Sequence, residues 1–292
     1  MLQPAGHFVL PGCISGAQRI ALAISEPYAG SDVAQIRTKG VRTADGDHIV
    51  VSGVKKWITG GTYADFFTTL VNIEGEGMSL LCIERSDAVE TRPIKTAYSA
   101  AAGTAYVVFD GARVPARNII GEVGQGFYLA MANFNKERWG MVGGGNRLSR
   151  LMVEECFKWA TQRKIFGKRL IDQPVIRLKL AEMAAGVEAV HSMNEDITFQ
   201  MTKMSHAEIN KHLAGPIGLL KYKQTRVATM ISDHACQIFG GRALTRSGMG
   251  QYVEKFQRSF KMQAILGGSE EILADFAIRQ ALKRTAATPS RL

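Results

Sequence analysis

The spacing of apolar residues changes once along this chain, at Gly124-Gln125-Gly126, and the change demands two kinds of packing in one polypeptide. Before it, Val41–Val51, Phe66–Val71, Met78–Glu84 and Thr104–Phe109 are rich in β-branched and aromatic residues, with Asp45-Gly46-Asp47 as a turn signal. Short strands between such turns close into a compact barrel or sandwich. After it, Leu148, Leu151, Met152 and Cys156 recur at helical spacing, and Pro174 and Pro216 suit the first turns of new helices. Helices are expected near 127–162, 174–204, 207–237 and 268–283. The chain is therefore read as α+β and multi-domain, a β module of residues 21–125 followed by a four-helix bundle of residues 126–285.

At 292 residues, with 46% hydrophobic and 21% charged side chains, the chain can bury large cores. No run approaches the roughly 20 apolar residues that a bilayer crossing needs. Residues 1–12 carry neither a secretory signal nor a mitochondrial presequence pattern. Cys13, Cys82, Cys156 and Cys236 are far apart in sequence and form no CxxC pair, so reduced thiols are expected and no metal site. The net charge of +10 arises wholly within residues 131–292, whose basic helices suit an anionic partner such as a nucleotide cofactor or the phosphates of coenzyme A. No interleaving of aromatic and basic residues supports nucleic-acid binding.

The polar turn Ile24-Ser25-Glu26-Pro27-Tyr28-Ala29-Gly30-Ser31-Asp32 follows a strand and exposes donors suited to a flat heteroaromatic ring and its phosphate. Lys55-Lys56-Trp57-Ile58-Thr59 comes next, then Arg163 to Lys168, Leu180-Ala181-Glu182-Met183, Gln237-Ile238-Phe239-Gly240-Gly241, Val253-Glu254-Lys255 and Gly267 to Ile272. This ordered series, from about Ala21 to Lys283, resembles the acyl-CoA dehydrogenase family, most of all its fungal acyl-CoA dehydrogenase-like members. The resemblance implies a middle β-barrel domain before the bundle, and FAD as cofactor. It implies that the Ile24 backbone and Ser25 bond the flavin pyrimidine edge, Gly30 and Ser31 approach its phosphate, Trp57 packs near the ring and Thr59 reaches N5. Arg163, Phe166, Gln237, Gly240 and Gly241 would hold the adenine dinucleotide across a subunit interface, and Ser269 and Glu271 would touch the cofactor again.

Dehydrogenating a thioester between Cα and Cβ needs a carboxylate near the ring to take the α proton. Many family members carry it directly before the Gly-Thr of the last block, where this chain has Gly267. The Gly267 N–H remains able to polarise the thioester carbonyl. The acid is expected instead at Glu137, directly before Arg138, where branched-chain and long-chain members of the family place it. The resemblance sets Asn135 beside the pantetheine chain and Arg138 with it in the substrate site. Glu270 is read as a helix-start acid, and Gly143-Gly144-Gly145 as a close helix–helix approach.

The expected reaction is α,β-dehydrogenation of an acyl-CoA to a trans-2-enoyl-CoA, by a homodimer or homotetramer that passes electrons to an electron-transfer flavoprotein or to oxygen. The family's N-terminal helical domain is expected to be missing, with residues 1–20 as its remnant. The alternative expectation is a truncated, catalytically impaired flavin-binding or interaction homologue. Residues 286–292 end in Ser290-Arg291-Leu292, which resembles a peroxisomal address, with cytoplasm or mitochondrion as alternatives.

Overall fold

A computed structural model describes residues 4–287, which fall into two units, Met1–Asn133 and Phe134–Leu292. Ser290-Arg291-Leu292, expected to serve as a peroxisomal address, lies outside the described residues. The first unit opens with helix α1 (Pro4–Ser15), where the sequence reading expected β structure over the first 120 residues and, within them, a remnant of an N-terminal region at 1–20. The helix packs through Val9 and Cys13 against Cys82 and Phe66, which is a contact that periodicity alone does not reveal.

Eight strands follow: β1 (Ile20–Ala23), β2 (Lys39–Arg42), β3 (His48–Ile58), β4 (Phe66–Ile73), β5 (Gly77–Glu84), β6 (Val89–Pro93), β7 (Ala105–Pro115) and β8 (Ile119–Ile120). They form one sheet in the order β6-β7-β3-β2-β4-β5-β8, with β1 added parallel to β4. Ile49, Val51, Phe67, Val71, Leu81 and Val107 point into a single core. Each such side chain contributes roughly 1.5–3 kcal/mol on burial. β6 and β8 went unforeseen because five and two residues are too short for a period-2 signal.

One irregularity in the β3–β7 ladder decides where Lys55 and Trp57 point. Lys55 pairs with Val107, and the next pairing is Ile58 with Ala105, so β3 spends one extra residue. This β-bulge lets both Lys55 and Ile58 face inward, three positions apart, and turns Trp57 out to solvent in a left-handed conformation, φ +67°.

The second unit is helical. α2 (Gly126–Gln162) begins where the apolar spacing changes and runs on from the first unit into the second. A two-strand hairpin, β9 (Lys164–Ile165) and β10 (Lys168–Arg169), separates it from α3 (Pro174–Lys203). Then come α4 (His206–His212), α5 (Ala214–Phe239), α6 (Gln251–Ser259), α7 (Lys261–Ile265) and α8 (Glu270–Ala287). The expected single helix at 207–237 is broken at Leu213, because Pro216 has no N–H to continue the hydrogen-bond ladder. Ser205 and Glu208 start α4 with a reciprocal capping box. α6 and α7 were not expected; nine and five residues give too few turns to show a stripe.

α2, α3 and α5 share one core, and α8 lies along α5, where Gly215 and Gly218 allow its backbone close. Trp159 of α2 stacks on Phe239 of α5 with centroids 5.4 Å apart, an arrangement contributing about 0.5–1.5 kcal/mol beyond its area. The glycine run in α2 corrects the sequence reading. Only Gly145 is a close approach, with Gln224 and Gln263 where its side chain would be, while Gly143 and Gly144 face open space.

Candidate active site

In the first unit, the loop after β1 is held from beneath by two charges that the sequence reading quoted without assigning them roles. Glu26 is buried, and its carboxylate accepts from the Arg37 N–H at 2.6 Å, the Thr38 N–H at 3.0 Å, Thr38 Oγ1 at 2.6 Å and Lys55 Nζ at 2.8 Å. Lys55, fully buried, also donates to the Ile24 carbonyl at 3.0 Å. The Lys56 N–H donates to the Ser25 carbonyl at 2.8 Å, which ties the loop to β3 a second time. Gly53 has no Cβ because Thr38 Cα lies 2.6 Å from where one would stand, so Thr38 can approach Glu26.

Burial pushes the Lys55 ammonium down to about 8, against the opposing pull of Glu26. Burial alone would raise the Glu26 carboxyl, but hydrogen bonds from Lys55 and Thr38, the Lys55 charge and the Arg37 N–H hold it below its ordinary range. A charged residue at an inward position of an apolar strand was the available signal for this clamp. Above it the expected ring-binding residues present polar, open surface: Gly30, Ser31, Trp57 and Thr59 are exposed, Ser25 is partly so, and Ile24 is buried.

Trp57 and Phe166 are the two non-glycine residues with positive φ among those described, at +67° and +47°. Left-handed backbone at a bulky residue costs of order 1–3 kcal/mol and persists where the surroundings or a function demand it. Both are exposed, Phe166 by 93%, and both were expected to touch cofactor.

In the second unit the expected dinucleotide residues separate into two places. Gln237 and Gly240, at the end of α5, line a cavity of about 560 Å³ with Thr229, Ser232, Asp233 and Phe260. Gly240 and Gly241 leave open space where side chains would project. Arg163 and Phe166 sit at the β9–β10 hairpin and do not line that cavity. The Trp159–Phe239 stack brings the end of α2 beside the end of α5, and the Arg242 guanidinium lies 4.8 Å from the Trp159 ring centre.

The residues expected at the substrate, Asn135, Arg138 and Gly267, gather around one turn. Arg138 Nε donates to the Gly267 carbonyl at 2.7 Å, and its Nη1 to Asn135 Oδ1 at 3.2 Å. Burial lowers the Arg138 guanidinium pKa, partly offset by the charge of Glu137 beside it. Glu137 is exposed on α2. Asn135 is buried, and its amide donates to Asn210 Oδ1 at 3.0 Å, so both ends of that side chain are engaged inside the helical unit. Gly267 has φ +68°, and a Cβ there would stand 3.3 Å from Met141 Sδ. A glutamate at 267 would be strained in backbone and crowded in side chain, which is the physical reason for the glycine.

Lys221, buried on α5, completes the turn by donating from Nζ to the carbonyls of Leu266 and Gly268, both at 2.7 Å. The sequence reading missed it, because a lysine in an amphipathic helix ordinarily reads as surface. Glu270, expected to act on the helix start through capping or the helix dipole, is buried with Arg226 at 3.3 Å and Lys261 at 3.7 Å. Glu271 is exposed, and its own N–H and Ser269 lower its pKa.

Burial, and the nearby Arg138 charge, push the Lys221 ammonium down to about 8. An unfolded lysine keeps its proton to about 10.4. Between those values the unfolded chain binds more protons than the folded one, so folding stability rises with pH across that window. Chemical denaturation from pH 7.5 to about 10 is expected to show wild type gaining on Lys221→Met as pH rises. A flat difference would refute the buried charge.

Among the described residues no group of three His, Cys, Asp or Glu side chains could hold a metal ion, and no helix is long and apolar enough to cross a membrane. Residues 21–112 match the middle domain, and residues 124–282 the C-terminal domain, of acyl-CoA dehydrogenase. The chain is 36% identical over 288 residues to the acyl-CoA dehydrogenase apdG of Emericella nidulans, covering 97% of this chain and 66% of that protein. It thus spans slightly less than two thirds of that relative's length. Its fold is similar to the crystal structure of a probable acyl-CoA dehydrogenase from Mycobacterium abscessus, with TM-score 0.87 at 30% identity, covering 94% of this chain and 72% of that one. It is also similar to an acyl-CoA dehydrogenase complexed with FAD from Bacillus anthracis, with TM-score 0.86 at 28% identity, covering 95% and 50% of the respective chains.

Proposed function

We infer the reaction from one premise, that the chain belongs to the acyl-CoA dehydrogenase family. The proposed activity is removal of the α proton and β hydride of a saturated acyl-CoA to give a trans-2-enoyl-CoA. Glu137 is the proposed base, and the Gly267 N–H the donor that polarises the thioester carbonyl as negative charge develops on its oxygen. The observation that carries this reading is Arg138. Its guanidinium lies beside Glu137 and grips the Gly267 carbonyl at 2.7 Å, which links the acid to the turn where the commoner acid is replaced by glycine.

The residues present suit FAD. The Ser25–Asp32 loop and bulged Trp57 offer an open polar surface to a flat ring, and the cavity at Gln237 and Gly240 has room for a nucleotide portion. Ile24, Ser25, Gly30, Ser31, Trp57 and Thr59 would hold the ring and phosphate; Arg163, Phe166, Gln237, Gly240, Gly241, Ser269 and Glu271 would hold the rest. When bound, FAD supplies the two-electron acceptor, its N5 receiving the hydride. Exposure of Arg163, Phe166, Gln237 and Gly241 supports a shared cofactor in a homo-oligomer, with an electron-transfer flavoprotein or oxygen as final acceptor.

The test is spectral. The full chain reconstituted with FAD is expected to turn yellow, and saturated acyl-CoAs of graded length and branching to bleach the flavin band without oxygen. A stoichiometric FAD complex that no saturated acyl-CoA bleaches would overturn the reaction and favour a flavin-binding homologue.

A further inference from the structure

Lys221 is costly where it stands. It is 1% exposed, and Glu270, the acid whose charge acts on it, pairs with Arg226 and Lys261. An apolar residue of similar volume would pack without the desolvation cost that a buried ammonium bears. What the ammonium does instead is grip two carbonyls of one turn, those of Leu266 and Gly268, while Arg138 grips the carbonyl of Gly267 between them. Three consecutive carbonyl oxygens are thus tied to two cations, the buried Lys221 and the partly buried Arg138.

A trans peptide points its C=O and the following N–H in opposite directions. Fixing the Leu266 oxygen on Lys221 therefore fixes the Gly267 N–H to point away from Lys221, and fixing the Gly268 oxygen does the same for the Ser269 N–H. Without Lys221 the turn keeps only the Arg138 bond to the Gly267 carbonyl, and Gly267 and Gly268, at φ +68° and +103°, impose little conformational restraint of their own.

We propose that Lys221 is a positioning residue for the proposed dehydrogenation, holding the peptide plane between Leu266 and Gly267 so that the Gly267 N–H is aimed at the thioester oxygen. This rests on the acyl-CoA reading of the site. Lys221 touches neither substrate nor cofactor in this role; it acts through the turn.

The experiment uses the full chain with FAD and 3-thiaoctanoyl-CoA as probe. Its α proton is removable, but sulfur at the β position has no hydride to give. Its enolate beside oxidised flavin gives a long-wavelength absorption band that reports carbonyl polarisation without turnover. Lys221→Met and Lys221→Gln are compared with wild type at equal bound FAD. Lys221→Met is expected to weaken ionisation of the probe by about 100-fold, the cost of misaligning one oxyanion donor. Lys221→Gln, which keeps two N–H donors, is expected to fall between the two.

A band of wild-type strength in Lys221→Met, at equal flavin content, overturns the proposal alone. Where Lys221→Met does not fold, a wild-type band in Lys221→Gln does the same. If neither variant folds, Lys221 is a fold residue and the proposal fails. A wild-type protein that binds FAD but gives no band with 3-thia acyl-CoAs of graded length overturns the acyl-CoA reading, and this inference with it.

Discussion

Glu137→Gln is expected to slow flavin bleaching by acyl-CoA by about 10²–10⁴-fold, the usual contribution of a positioned general base. FAD content and unfolding temperature should stay at wild-type values, because Glu137 is exposed on α2 and the amide is isosteric. The neighbouring Arg138 keeps its grip on the Gly267 carbonyl, since that bond leaves from Nε and needs no carboxylate at 137. Anaerobic stopped-flow absorbance after mixing with a saturated acyl-CoA measures the rate. An unchanged rate in Glu137→Gln would remove the residue from the chemistry. Glu270 offers no ready substitute, buried as it is among Arg226 and Lys261.

The second large effect is on stability. Lys55→Met is expected to cost about 3–5 kcal/mol, because it leaves the Glu26 carboxylate buried without its charged partner. The double variant Lys55→Met with Glu26→Gln should be less destabilised than the sum of the single changes, since no uncompensated charge remains. The Arg42–Glu76 pair provides a contrast within the same sheet unit. It is partly exposed, and removing it should cost no more than about 1 kcal/mol. Urea unfolding of the flavin-free chain, followed by far-ultraviolet dichroism, ranks these variants. If Lys55→Met unfolds within about 1 kcal/mol of wild type, the Glu26–Lys55 clamp beneath the Ser25–Asp32 loop does not stabilise the unit. A stable variant that also binds FAD normally would remove Lys55 from cofactor positioning as well.

Much of the architecture was visible in residue patterns. The change of spacing at Gly124–Gly126 coincides with the start of α2, and Asp45-Gly46 turns the chain between β2 and β3. The long strands and helices were found because several repeats of one period accumulate within them. β6, β8, α6 and α7 were missed because they are shorter than the signal they would need. α1 was missed for a different reason: its apolar residues follow no marked helical stripe, and its place depends on contacts with Cys82 and Phe66.

The candidate residues divide in the same way. Ser25 to Asp32, Trp57 to Thr59, Glu137 and Gly267 could be named as candidates from the chain because they stand in an ordered series of short blocks that resembles a family. Their supports could not. Lys55 meets Glu26 across 29 positions, and Lys221 meets Leu266 and Gly268 across 45 and 47. The one-dimensional chain carries the local preferences and identities that select a β unit, a helical unit and a family. Folding alone decided that two lysines would be stripped of water and turned onto backbone carbonyls. That outcome depends on burial and direction, which exist only once distant segments have packed.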